Sequence, residues 1–217
     1  MRKTVVFVLA FCIIAAPLFA SEIGAIIINP AHGGRDPGAA RTHTINGERV
    51  TYLEKDITLG IALSLREKLS KLFPDVNVVL TRENDAGSTL EEVAKLANAA
   101  QSAAKGTALF ISIHANLSFN TSTRGYEFFV SGNDTEGLNF AGKVGAGFAE
   151  VFGNELPNRG IRQEPYYLVE NVFMPAIIAE IGFISNAEDV LLLYSEQGLE
   201  KCSTAIANGI AAYIASL

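Results

Sequence analysis

Apolar residues fall into two kinds of stretch along this chain: short unbroken runs, and longer segments in which they recur every three or four positions. Runs at 24–28, 76–80, 108–113, 125–130 and 176–181, rich in Ile, Val and Phe, read as five strands buried on both faces. Between them lie helical stripes. Ile57, Ile61, Leu65, Leu69 and Leu72 mark one face of a helix that opens near Tyr52–Asp56 and stops at Pro74. Leu90, Val93, Leu96, Ala97 and Ala100 mark a second, with a Ser88-x-x-Glu91 spacing that suits a capping box. Leu138, Ala141, Val144, Phe148 and Phe152 mark a third, and Leu199, Cys202, Ile206, Ile210 and Ile214, after Ser195, a fourth. The polar stretch 41–51 and the segments 158–160 and 165–168 read as loops. Alternating strands and helices predict an α/β fold: a single three-layer domain, with a largely parallel twisted central sheet and helices on both faces.

The N-terminus departs from this pattern. Arg2 and Lys3 precede an apolar run over 5–16, then Pro17 and Ala20. That order is the n-region, h-region and small-residue cleavage site of a secretory signal peptide, so 1–20 is expected to be a signal and 21–217 the domain. The run is too short for a membrane span and lacks a stop-transfer flank, so no stable membrane anchor is expected after cleavage. Phe11 before Cys12 argues against a lipidation site. Removing Arg2 and Lys3 lowers the basic residues from 17 to 15 against 23 acidic ones, a net charge of −8. A domain so acidic has no electrostatic reason to bind nucleic acid or anionic lipid. Cys202 is then left alone, without an intramolecular disulfide partner, at core spacing in the last helix. With 49% hydrophobic and 18% charged residues the chain can build a full core without staples.

The candidate chemistry sits at strand ends. Asn29-Pro-Ala-His-Gly-Gly-Arg-Asp-Pro-Gly38 follows the first strand directly. Its glycines let the backbone turn sharply and its prolines stiffen it, so His32 is held on a rigid loop. The third strand delivers His114, and Glu180 interrupts the apolar run of the fifth. In open α/β sheets the carboxyl edge is where ligands bind, so these residues should converge. Two histidines and a carboxylate with one open position make a recurrent catalytic zinc site. A second carboxylate, not a ligand, is then needed to move protons. Glu180 suits that role, because an unpaired charge in such a run is costly unless it is used; the ordinary alternative is a salt bridge to a buried arginine. For the third ligand Glu54, at a helix start, competes with Glu48, and His43 is a rival in the polar loop. Glu54 sits on an ordered helix start, which positions a ligand more precisely than a loop does, but spacing alone leaves the choice open.

The ordered motifs Asn29–Ala39, Leu53-Glu-Lys-Asp56, Val79-Leu-Thr-Arg82, Ser112-Ile-His-Ala-Asn116, Asn158-Arg-Gly160 and Ala179–Asn186 resemble the zinc-dependent N-acetylmuramoyl-L-alanine amidases of the type 3 family. The likeness spans the chain from about Ile23 to Leu217. It implies a peptidoglycan hydrolase that cuts between N-acetylmuramic acid and the L-alanine of the stem peptide by zinc-activated water. It implies zinc ligands at His32, Glu54 and His114, choosing Glu54 over Glu48, with Glu180 as general base. Two alternatives keep the same residues: a zinc peptidase cutting within the stem peptide, and a non-catalytic peptidoglycan-binding protein, which would have no use for Glu180.

The chain departs from the family pattern in three places. Asn29 and Ala31 stand where the family has Asp and Gly, which removes a carboxylate that could brace a ligand histidine. Val93 replaces an arginine usual in the second helix. The segment between Val130 and Leu138 is too short for the inserted helix that covers the zinc in some Gram-negative members. An uncovered site with no obligatory activator protein is therefore expected, acting in the periplasm or at the cell wall.

Overall fold

The structure, a computed structural model, describes residues 23–217; the expected signal over 1–20 lies outside them. Strand β1 (Ile23–Pro30) is followed by a hairpin, β2 (Ala40–Ile45) against β3 (Glu48–Leu53). This replaces the loop expected over 41–51. Its turn is Asn46-Gly47, both at positive φ (52° and 85°), the dipeptide that favours a tight hairpin turn matching the twist of its strands. Then come α1 (Glu54–Leu72), β4 (Asn77–Leu80), α2 (Leu90–Ala103), β5 (Thr107–Asn116), β6 (Tyr126–Val130) and α3 (Thr135–Phe152). A short 3₁₀ turn leads to β7 (Asn158–Gln163), α4 (Tyr167–Asn171), β8 (Ala176–Phe183), α5 (Ala187–Leu193) and α6 (Glu196–Ile214). Segment 158–160, expected as loop, begins an edge strand whose mostly polar residues gave no strand pattern. The capping box of α2 is one residue later than expected: Thr89 and Glu92 exchange side-chain and backbone bonds.

The six-stranded sheet has the order β4-β1-β5-β8-β6-β7. Its first four strands are mutually parallel, β6 runs antiparallel to β8, and β7 runs parallel to β6. Successive side chains on a strand point to opposite faces, which divides the core in two. Ile26, Ile28, Leu109, Ile111 and Ile177 pack under α1, α3 and α6, while Ile27, Phe110 and Ile178 pack with α2 and α4. Full burial of each such side chain is worth about 1.5–3 kcal/mol. Helices α3 and α6 cross at van der Waals distance because Gly147 and Gly209 lie at the crossing; a Cβ on Gly209 would stand 2.3 Å from Val144 Cα. Cys202 on α6 is fully buried in the core, as its spacing predicts.

Three expected core leucines are exposed. Leu72 is the last residue of α1 and is 55% exposed. Helix α2 meets the sheet through the narrow stripe of Val93, Ala94 and Ala97; Leu96 lies about 100° round the helix from that stripe, and Leu90 precedes it at the open edge.

The order of strands decides what meets at one edge. Carboxyl ends of β1, β5 and β8 reach the same edge as the amino ends of β6 and β7, because the last two strands run the other way. Among the described residues no helix is long and apolar enough to cross a membrane.

Candidate metal centre

His32 leaves β1 on a loop that the chain holds rigidly from outside. Buried Arg82 donates to the carbonyls of Pro30, Ala31 and Lys55. Lys55 Nζ bonds Gly34 O and Asp85, while Gly34 N bonds the other Asp85 oxygen. His32 itself has φ of 63°, an uncommon left-handed setting for a non-glycine residue, of the kind that persists when surroundings over-determine it. Gly38, also left-handed (φ 65°), lets the loop close over the site; a Cβ there would lie 2.6 Å from both Glu54 Oε2 and His32 Cδ2.

Glu54 is the first residue of α1, where the free N–H groups and helix dipole favour a carboxylate. It is buried, and its two oxygens accept from Ala39 N (2.8 Å) and Ala115 N (3.1 Å). His32 Nε2 lies 3.2 Å from one oxygen and His114 Nδ1 3.0 Å from the other. Atoms able to bind a metal on His32, Glu54 and His114 all lie within 4.8 Å of one another. The structure thus brings together three of the predicted site residues from three separate elements.

Each histidine turns its other nitrogen to a fixed partner. His32 Nδ1 is 2.7 Å from Asp36 Oδ2, which makes Nδ1 the protonated nitrogen and frees Nε2 for the centre. His114 Nε2 is 3.0 Å from Ser112 Oγ, which accepts from Asn29 Nδ2, whose Oδ1 accepts from Thr81 Oγ1. Asn29 therefore braces His114 through Ser112 rather than touching it, a neutral relay in place of a carboxylate. Ala31 fits without strain, its N–H bonded to Ile113 O.

Burial works to raise the Glu54 carboxyl, but hydrogen bonds from His114 and His32 outweigh it and hold the group far below the usual carboxylate range. The Glu54 bond raises His32 to about 9, with burial opposing and Asp36 adding to the rise. A cation at the same spot would take over the role of those protons. Two imidazoles and a carboxylate are donors suited to zinc, so the residues fit such an ion, whose binding would release protons.

Glu180 lies on β8 in register with His114 on β5 and Glu127 on β6. Its Oε2 is buried and has no hydrogen-bond partner. Burial pushes its carboxyl up to about 7, opposed by His114 and helped by the negative charges of Glu54 and Glu127. No arginine pairs with it among the described residues, so the ordinary structural alternative is absent. Beside the row is a cavity of about 270 Å³, lined among others by His32, Thr81, Val93, His114 and Leu168. Val93 gives that cavity an apolar wall.

The two rivals are elsewhere. Glu48 is exposed at the start of β3. His43 sits on β2, a strand rather than a loop, and its Nε2 bonds Ile184 O at 2.7 Å. Sequence reasoning missed Glu127, although it breaks an apolar run as Glu180 does. It also missed the braces Asp36, Arg82 and Ser112, whose roles depend on partners up to 83 residues distant.

The chain is similar to known proteins in both sequence and fold. The sequence profile of the N-acetylmuramoyl-L-alanine amidase family matches residues 26–212. The chain is 31% identical to N-acetylmuramoyl-L-alanine amidase LytC of Bacillus subtilis over 87% of its own length and 35% of LytC. It resembles the crystal structure of N-acetylmuramoyl-L-alanine amidase from Clostridium difficile 630 with a TM-score of 0.78 and 30% identity, covering 90% of this chain and 99% of that one. A third likeness is to the CwlD amidase of Clostridioides difficile, solved in complex with the GerS lipoprotein, with a TM-score of 0.74, 27% identity, and coverage of 89% and 100%.

Proposed function

This chain belongs to the type 3 N-acetylmuramoyl-L-alanine amidase family, and from that premise we propose that it cleaves peptidoglycan between N-acetylmuramic acid and L-alanine as a zinc hydrolase. The observation that carries the reading is the unpartnered, buried Oε2 of Glu180 in the strand row beside the His32, Glu54 and His114 cluster. Zinc held by those three residues would supply Lewis-acid activation of water and of the amide carbonyl. Asp36 and Ser112 keep the two imidazoles in the tautomers that face the centre. Glu180, with its carboxyl near neutrality, takes the proton of the attacking water and gives it to the departing amine of L-alanine. A carboxyl so poised can do both at physiological pH, which an ordinary solvated glutamate does less well.

The domain is read as 21–217, exported behind the signal over 1–20 to the periplasm or cell wall, without a stable membrane anchor. The site is read as needing no activator, because β6 passes to α3 through only the four residues 131–134. A marked acceleration of the pure enzyme by a periplasmic activator would refute that part.

Product analysis of digested peptidoglycan by mass spectrometry tests the whole. Free stem peptides beginning with L-alanine, lost on chelation and restored by zinc, are the expected outcome. Cuts inside the stem would instead assign a peptidase. Absence of products from a folded, zinc-loaded protein would assign a binding role.

A further inference from the structure

Beyond Glu180 the row of side chains continues on the same face of the sheet. Glu127 is directly opposite Glu180 in the antiparallel pair β6–β8 and is 3% exposed. Its Oε1 accepts from Asn116 Nδ2 at 3.0 Å. Its Oε2 faces two cations: Arg159 Nε at 3.3 Å and a terminal nitrogen of Arg162 at 3.1 Å. The Arg159 guanidinium also lies 5.0 Å above the Phe183 ring, which fixes its plane. Two guanidiniums on one carboxylate leave a net positive charge.

That surplus is more than Glu127 needs. Asn116 and Arg159 already satisfy a buried carboxylate, yet Arg162 is added with its side chain 49% exposed. A guanidinium carries five N–H donors in a planar fork, and the Glu127 contact uses one nitrogen of Arg162. The remaining donors belong to a half-exposed side chain: Arg162 lies near the far end of β7, opposite Phe129, and its guanidinium reaches back to Glu127, which stands in register with Glu180. The charge also runs against its surroundings, since the whole chain has a net charge of −6 and its centre contains Glu54 and Glu180. An acidic substrate would be repelled here without a local cation.

We propose that Arg162, held by Glu127 beside Arg159, is a specificity-determining residue that binds the first free carboxylate of the stem peptide beyond L-alanine. This rests on the amidase reading above. The spacing suits it. Glu127 is two strands from His114, about 10 Å at the usual inter-strand distance, and an extended peptide covers that in about three residues. Arginine matches a carboxylate with two parallel hydrogen bonds, so a free acid is favoured over its amide, which has one acceptor and no charge.

The test uses two muropeptides that differ only in that the carboxylate of the residue after L-alanine is free in one and amidated in the other. The zinc-loaded wild type should have a kcat/KM about tenfold higher for the acid, mostly through KM. R162A should lose about tenfold more on the acid than on the amide, R162K should fall between, and added salt should narrow the wild-type preference. Equal losses on both substrates, or no wild-type preference, would overturn the proposal. The same pair is also titrated onto zinc-loaded E180Q by calorimetry. If no wild-type turnover occurs, the amidase reading fails by itself, while acid-selective binding that R162A abolishes still supports the arginine. Equal binding of acid and amide overturns it.

Discussion

Replacement of Glu180 by glutamine should make the metal-free protein more stable while abolishing its turnover. The carboxyl has an ordinary value of 4.5 and is raised to about 7 by burial. The native state therefore holds a proton between those values that the unfolded chain releases. Below about pH 4.5 both states are protonated and the group costs nothing electrostatically. Between about pH 4.5 and 7 the unfolded chain loses this proton while the native carboxyl keeps it, so wild-type stability falls across that window. It levels off above 7, where the native carboxylate is ionised in a site that solvates it poorly. The difference of about 2.5 units corresponds to about 3.4 kcal/mol at 1.36 kcal/mol per unit, an upper bound because neighbouring groups relax. A glutamine has nearly the same shape and no charge. The unpartnered Oε2 becomes an equally unpartnered amide, so that cost cancels at low pH.

Thermal and urea unfolding of wild type and E180Q, both stripped with a chelator, should therefore coincide near pH 4.5. They should diverge to about 1.5–3 kcal/mol in favour of E180Q at pH 8. For a domain of this size that is roughly 4–10 °C in Tm. Zinc loading should narrow the gap, because a nearby cation favours the carboxylate. Turnover should drop by about 10²–10⁴ or more, with zinc still bound. A variant that is destabilised at every pH would show that Glu180 has a structural partner and would refute the reasoning. A variant that stays active would refute its role as base.

Four further outcomes follow from the site. Ser112→Ala removes the brace on His114 Nε2 and should weaken zinc binding about 10–100-fold in a chelator competition, and because it also strands the buried Asn29 Nδ2 it should cost about 1–3 kcal/mol in urea unfolding. Gly38→Ala puts a Cβ against Glu54 and His32 at a left-handed φ, and should cost about 1–3 kcal/mol in urea unfolding together with the metal site. His43→Ala and Glu48→Gln should each retain one zinc per chain by atomic absorption; His43→Ala alone should lose about 1 kcal/mol, from its bond to Ile184 O. Zinc affinity should fall about tenfold for each unit of pH below 9 while one proton is displaced from His32, which a pH series of the same competition measures.

How far the site was legible depends on where each residue's constraint comes from. His32, His114 and Glu180 stood out because each ends or breaks an apolar run, so a local pattern located both the strand and its carboxyl edge. Glu54 could be placed at a helix start but not chosen over Glu48 from spacing, because what selects it is the pair of N–H groups of Ala39 and Ala115 that receive its oxygens. Thr89 rather than Ser88 caps α2, since adjacent hydroxyl residues offer the same chemistry and only the trajectory of the incoming loop decides. The hairpin at 40–53 was missed because one face is solvated and the other only half-buried, through His43, Ile45, Val50 and Tyr52, so apolar alternation is weak. Its one local signal was Asn46-Gly47.

A largely parallel sheet was legible in the sequence, but not which strands reverse, and the site depends on that reversal. With every strand parallel, Glu127 and Arg159, which begin their strands, would lie at the edge away from the metal ligands, and two buried or half-buried charges would have no relation to the chemistry. The link from β5 to β6 spans only 117–125, too short for the helical crossover a parallel connection requires, and so fixes β6 as antiparallel to β5. That reversal carries Glu127 into register with Glu180, and β7, parallel to β6, brings Arg159 and Arg162 after it. A row His114, Glu180, Glu127 and Arg159 thus crosses four strands on one face: a metal ligand, a near-neutral carboxyl, an anchored carboxylate and a cation. An enzyme that must hold an acidic peptide on an acidic domain needs that sequence of charges, and the loop length between β5 and β6 is what makes it possible.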